Sequence, residues 1–135
     1  MRLLGLDHGT RRVGVALGET ETRMASPWEV IKVQNEAQLL ADLQMLVDKE
    51  GIDAFVVGIP RPMGDQQRVT DQASQIRTFI QHLSVLGLPV YEQNETMSST
   101  EAAKQMLERG EKGKRDDLAA AIILQAWLDL PTNGV

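Results

Sequence analysis

The alternation of apolar and polar positions divides the chain into short blocks. Residues 2–7 are apolar and end in an acid, which predicts a buried strand. Gly9-Thr10-Arg11-Arg12 carries turn chemistry, and residues 13–18 predict a second strand, so the chain opens on a hairpin. Residues 28–33 predict a third strand after a loop containing Pro27. Asn35 as N-cap, with Gln38 completing a capping box, starts a helix that carries Leu39, Leu43, Leu46 and Val47 at helical spacing and stops near Gly51. The unbroken apolar run 54–59 predicts a central strand covered on both faces.

A loop over residues 60–67 holds two prolines and a glycine. A helix follows from about residue 69, with Ala73, Ile76, Ile80 and Leu83 on one face and Gly87 as its stop. Residues 88–92 predict a short strand, and Ser98 with Glu101 forms a capping box for a helix ending at Gly110. The last helix covers residues 116–129. Leu118, Ile122, Ala126 and Leu130 form one apolar stripe along it, with Ala119, Ile123 and Trp127 beside the stripe and Pro131 closing the helix. This order predicts an α/β fold, a mixed five-stranded sheet flanked by helices with parallel pairs among the later strands. The length of 135 residues fits one domain over 1–135.

Composition narrows the chemistry. Hydrophobic residues at 42% suffice for a core. No cysteine is present, which excludes disulfides, thiolate zinc sites and cysteine nucleophiles. The histidines are His8 and His82 alone, so a metal held by this chain is a hard cation on carboxylates. No signal-peptide pattern opens the chain and no apolar stretch approaches the ~20 residues of a membrane span, so a cytoplasmic protein is expected. The net charge of −5 counts against a nucleic-acid partner. Basic residues nevertheless cluster near candidate acids: Arg11 with Arg12, Lys112 with Lys114 and Arg115, and Arg61 and Arg68 about one loop.

Three acids fall at element ends. Asp7 ends the first strand, Glu95 follows the last strand, and Asp116 opens the last helix. Ligand sites in open α/β sheets lie beyond strand C-termini, and strands one, four and five are expected neighbours, which would gather Asp7 and Glu95. Clustered carboxylates repel one another, and divalent cations remove that penalty. Two Mg2+ or Mn2+ ions roughly 3.5–4 Å apart can activate a water and stabilise a leaving oxygen in phosphodiester hydrolysis. Each acid also has a plainer role open to it: Asp7 as a turn cap, Asp116 as a helix N-cap in competition with Asp117, and Glu95 as an exposed loop acid. Ser98 and Ser99 serve as caps, and His8 is assigned no role. Gly5, Gly9 and Gly14 do not form a dinucleotide fingerprint.

Residues 5–16, Gly-Leu-Asp-His-Gly-Thr-Arg-Arg-Val-Gly-Val-Ala, resemble the opening motif of the YqgF/RuvX family, named for pre-16S rRNA nuclease and, earlier, Holliday junction resolvase activity. Val56-Val57-Gly58-Ile59-Pro60 with Met63-Gly64 is similar to its "VVGLP…M.G" segment, and residues 112–125 to its closing motif. The resemblance spans nearly the whole chain. It implies an RNase H-like fold and a carboxylate triad of Asp7, Glu95 and Asp116, the last chosen over Asp117 by its spacing in the closing motif. One motif departs: Asn94-Glu95-Thr96-Met97 stands where the family has Asp-Glu-Arg-Leu, which removes a guanidinium that could contact phosphate or brace Glu95.

The leading expectation is thus a metal-dependent nuclease on structured nucleic acid, maturing the 5′ end of pre-16S rRNA. Arg11, Arg12, Lys112, Lys114 and Arg115 would grip phosphates, and ribosomal precursor particles would be partners. Resolution of four-way DNA, which needs a dimer, is the second reading. A non-catalytic RNA-binding or ribosome-assembly module is the third. A phosphate-binding ATPase of the actin and sugar-kinase class is the fourth, for which the chain is too short.

Overall fold

The computed structural model describes residues 1–9, 11–60, 71–95 and 116–130, with backbone alone at 60, 71–73 and 95. The described elements are β1 (Arg2–His8), β2 (Arg12–Glu19), β3 (Met24–Lys32), α1 (Glu36–Glu50), β4 (Ala54–Pro60), α2 (Asp71–Leu83), a 3-10 turn (Ser84–Leu86), β5 (Val90–Glu95) and α3 (Asp116–Leu128). The strands form one five-stranded sheet in the order β3-β2-β1-β4-β5. The hairpin pairs are antiparallel, while β1–β4 and β4–β5 are parallel. The mixed sheet and the adjacency of strands one, four and five are therefore as expected. Of the predicted loop over 60–67, residue 60 belongs instead to β4, and 61–67 lie outside the described residues, as does the predicted helix from Ser98 to Gly110.

Side-chain alternation along β1 sorts the core into two layers. Leu4 and Leu6 join Val13, Val15, Phe55 and Val57 beneath α1 and α2, which contribute Leu39, Leu43, Ile76, Phe79 and Leu83. Leu3, with Ala16, Ala54 and Val56, faces the opposite way under Ala120, Leu124, Trp127 and Leu128 of α3. Each fully buried leucine of this kind contributes about 1.5–3 kcal/mol. Four consecutive residues of β4, Ala54 to Val57, are 0% exposed, as the unbroken apolar run requires of a strand covered on both sides.

Local signals place most boundaries. Asn35 Oδ1 accepts from the Gln38 N–H at 2.8 Å, and Gly51 closes α1 in the left-handed conformation at φ 64°. The reciprocal half of the capping box is not made, because the Gln38 amide donates forward to Asp42 at 3.0 Å instead. Three expectations shift. Strand β3 begins at Met24 rather than residue 28: its register skips Trp28 in a bulge between the Ala16–Pro27 and Val15–Glu29 pairs, which lets an edge strand carry a proline. Strand β5 extends past residue 92 to Glu95, because pairing with β4 continues through Asn94 and Glu95. Their polarity concealed it, as an edge strand tolerates exposed polar residues.

The third shift concerns α3. Leu118, Ile122 and Ala126 are half-buried and Leu130 is exposed, whereas Ala120, Ala121, Ile123, Leu124, Trp127 and Leu128 are buried. Apolar residues run almost unbroken from 118 to 124, so periodicity has no contrast with which to choose a face. Close approach to the sheet makes the choice. A Cβ on Gly5 would lie 2.7 Å from Leu124 Cβ and 3.1 Å from the Ala120 carbonyl oxygen. At Gly14 the contact is tighter still, 1.8 Å from the Asp116 carbonyl oxygen.

Gly14→Ala is therefore expected to lift the start of α3 and destabilise the fold by about 3 kcal/mol, at the upper end of overpacking costs. A urea midpoint measurement checks it, and an unchanged midpoint would contradict the seating of α3. On the other face the His8 ring stacks on Phe79, centroids 4.4 Å apart and 27° between planes. Burial lowers the His8 pKa below 6.5, with the Glu36 carboxylate opposing the shift. The unfolded chain then binds the proton more readily, so His8 contributes stability above about pH 6.5 that is lost as pH falls toward its folded pKa. The His8→Phe variant should lose less stability than the parent between pH 7.5 and 5, as read from denaturant midpoints. Parallel losses would refute the assignment.

Candidate active site

The C-terminal end of β1 and the start of α3 meet at the β1–β2 hairpin. Asp7 is half-buried and lies directly across from Gly14 in the antiparallel register. Directly opposed residues share a face, and Gly14 is the residue on which the Asp116 backbone rests. Asp7 therefore belongs to the α3 side of the sheet. The spacing agrees: α3 crosses Gly5 at Ala120 and Leu124, and one turn back along the helix brings Asp116 to the next position on that face of β1, Asp7.

Asp116 opens α3 with its side chain 23% exposed, yet its Oδ2 is buried and has no hydrogen-bond partner among the described residues. The Arg12 Nε stands 3.3 Å from that oxygen, close enough for charge attraction but outside hydrogen-bond alignment. An N-cap carboxylate would accept a backbone N–H of the first turn, and Oδ2 accepts none. Such an orphaned anionic oxygen carries a desolvation cost that a hard cation or a realigned guanidinium would offset. The start of α3 adds the positive end of its dipole to the same corner. Asp117, the competing acid, is half-buried and follows Asp116 at the point nearest Gly14.

The turn itself is closed by the Gly9 N–H donating to the Arg12 carbonyl at 2.9 Å. The Arg11 carbonyl accepts from the Val33 N–H, also at 2.9 Å, tying the turn to the end of β3 while leaving the Arg11 side chain exposed. Glu95 is the last residue of β5 and pairs with Pro60 of β4. Its backbone lies in the same alternating set as Tyr91, whose ring lies 5.1 Å from that of Trp127 on α3. Strand register thus assigns position 95 to the α3 face. Among the described residues no three histidine, aspartate or glutamate side chains form a metal cluster, and the Glu95 side chain is outside that set. Lys112, Lys114 and Arg115 also lie outside the described residues.

Sequence reasoning overlooked Gly14 as the seat of the site. A glycine opposite an acid-bearing strand end in the hairpin register is the signal that could have found it. It also left Glu36 and Phe79 unremarked, because a helix-opening acid and a core aromatic look ordinary alone. His8, assigned no role from the sequence, turns away from Asp7 onto α2.

A family model described as "RuvX: Holliday junction resolvase" matches residues 1–130. A protein of Moorella thermoacetica named "Putative pre-16S rRNA nuclease" is 38% identical over the full length of both chains. One of Nitratidesulfovibrio vulgaris with the same name is 36% identical over 97% of this chain and 95% of its own. Among solved structures, Thermus thermophilus RuvC superposes with a TM-score of 0.59 at 15% identity, covering 95% of this chain and 94% of that one. The fowlpox virus Holliday junction resolvase gives 0.58 at 14% identity, covering 95% and 98%. The sheet is thus of the RuvC-like, RNase H-like type, and by the extent of both sequence matches the chain belongs to the RuvX family.

Proposed function

We propose that this chain is a metal-dependent nuclease that hydrolyses phosphodiester bonds in structured nucleic acid, with 5′-end maturation of pre-16S rRNA as its reaction. The observation that carries the proposal is the convergence of Asp7 and Asp116 on one face of the β1 end, with Asp116 Oδ2 buried and lacking a hydrogen bond. The names of the 36% and 38% identical relatives supply the reaction.

Asp7, Glu95 and Asp116 are the residues that would hold Mg2+ or Mn2+, two ions in the fullest form. Their donor set, all carboxylate oxygen, suits a hard cation. A bound pair supplies charge neutralisation and Lewis-acid polarisation of the attacked phosphate. Asp7 would orient the attacking water at the strand end; its oxygen bonds to phosphorus as the bond to the leaving sugar oxygen breaks, with one water proton released to solvent and one taken up from solvent by the leaving oxygen. Arg12, already beside Asp116, turns its remaining N–H groups to the phosphate, and the exposed Arg11 adds a second positive charge on the same turn. Lys112, Lys114 and Arg115 extend that grip from the segment leading into α3. No helix among the described residues is long and apolar enough to cross a membrane, which suits an enzyme working on precursor ribosomal particles in the cytoplasm.

Cleavage of four-way DNA is the second reading, favoured by the family description and by the structural likeness to T. thermophilus RuvC in complex with a Holliday junction, TM-score 0.59 at 17% identity. Paired symmetric cuts need two active sites, so a strictly monomeric enzyme would count against it.

One cleavage panel tests both readings, with precursor rRNA, single-stranded RNA and four-way junctions in Mg2+ and Mn2+. Cleavage should vanish on chelation and fall at least about 100-fold in Asp7→Asn, equivalent to roughly 2.7 kcal/mol of transition-state stabilisation, with an unchanged thermal midpoint. Full activity in Asp7→Asn would sink the proposed centre.

A further inference from the structure

A cavity of about 410 Å³ opens on the side of the sheet opposite Asp7, between the end of β1, the start of α1 and one face of α2. This volume is within the range of small-ligand sites. We propose that it receives one unpaired nucleobase, guanine in the best fit, from the strand whose phosphate lies at Asp7. The inference rests on the nuclease reading and adds to it the kind of substrate: nucleic acid with an unstacked residue beside the cut.

The lining carries the chemistry of a base site. The His8 imidazole, backed by buried Phe79, gives a flat aromatic wall. Unpaired bases are held by stacking on such rings, histidine included. Val33 and Leu39 add apolar surface. Glu36 supplies an acceptor: its Oε1 lies 2.5 Å from His82 Nδ1, which holds the carboxylate in place. Ser74 and Gln75 are exposed at the rim, with no side-chain hydrogen bond to any described residue.

The same lining argues against other ligands. Among the described residues it holds a carboxylate and neither lysine nor arginine, which disfavours a phosphate. Guanine presents ring and exocyclic N–H donors side by side, the complement of a carboxylate acceptor. Uracil presents a single N–H, and adenine and cytosine present only the exocyclic amine.

The location links the cavity to the carboxylates. His8 follows Asp7 directly in β1, and successive side chains point to opposite faces. Among the described residues, the strand end separates the two sites. A polynucleotide crossing it can leave a phosphate on one side and deliver an adjoining base to the other. A base held in a duplex stack cannot make that crossing unless it is extruded.

The test titrates the intact protein with GMP, dGMP, AMP, CMP and UMP while following the His8 ring resonances by NMR. GMP should shift them saturably and most tightly. Equal binding of dGMP assigns the recognition to the base alone, and weaker dGMP binding assigns the cavity to RNA. Glu36→Gln should weaken GMP about tenfold, the value of one charge-assisted hydrogen bond. Ser74→Trp, a change at an exposed position that fills the cavity, should abolish the shift with the thermal midpoint kept. A shift produced equally by ribose 5-phosphate, GMP affinity unaltered in both variants, or no saturable shift with any nucleotide would overturn the proposal. Because binding is read without turnover, an enzyme that cleaves normally but binds no nucleotide here loses only the base site. One that binds GMP as described but cleaves nothing loses only the nuclease reading.

Discussion

Everything at the functional end of this protein depends on how closely α3 lies on the β1–β2 hairpin. Helices normally stand off a sheet by the depth of their side chains. Here Gly5 and Gly14 remove one layer of those side chains, and helix backbone rests against strand backbone. Two results follow from that closeness. The first residue of α3 is set down on Gly14, directly across the hairpin from Asp7. The Asp116 carboxylate is also drawn inside, where one of its oxygens has lost water and gained only a misaligned guanidinium. Packing thus sets up the electrostatic tension that the proposed chemistry uses.

Much of the fold was legible in the chain because several signals agreed on each element. The β4 run is apolar at every position from 54 to 57 and is buried at every one. Asn35 and Gly51 bracket α1 as caps, and both make the backbone contacts that capping requires. Failures arose where one signal stood alone. The β5 strand reads as ending at residue 92 because Gln93, Asn94 and Glu95 have no hydrophobic contrast, although their backbones continue the ladder. The face of α3 was misread for the opposite reason, since a helix apolar all round offers no polar side to exclude. Tertiary closeness at glycines, which leaves no mark on local periodicity, made that choice.

The acids proposed for the site stood out in the sequence for similar reasons. Asp7 stands where strand end, turn and family motif coincide, and the register confirms its neighbourhood with α3. Spacing in the closing motif chooses Asp116 over Asp117, and the orphaned Oδ2 of Asp116 agrees with that choice. What escaped notice was the far side of the strand end, because Glu36, Gln75 and Phe79 are spread over α1 and α2 and only the folded chain brings them to His8.

The bulge that carries Pro27 along β3 has a consequence for the chain's behaviour in company. This rim strand exposes Met24, Trp28 and Val30, the composition that invites another chain to add on edge to edge. Pro27 has no N–H to offer such a visitor, and the skipped residue breaks the even spacing of the donors and acceptors that remain. An extended segment arriving at this rim finds a ladder with missing rungs. The sheet can therefore keep an aromatic, apolar margin in water at low risk of growing into a shared, multi-chain sheet.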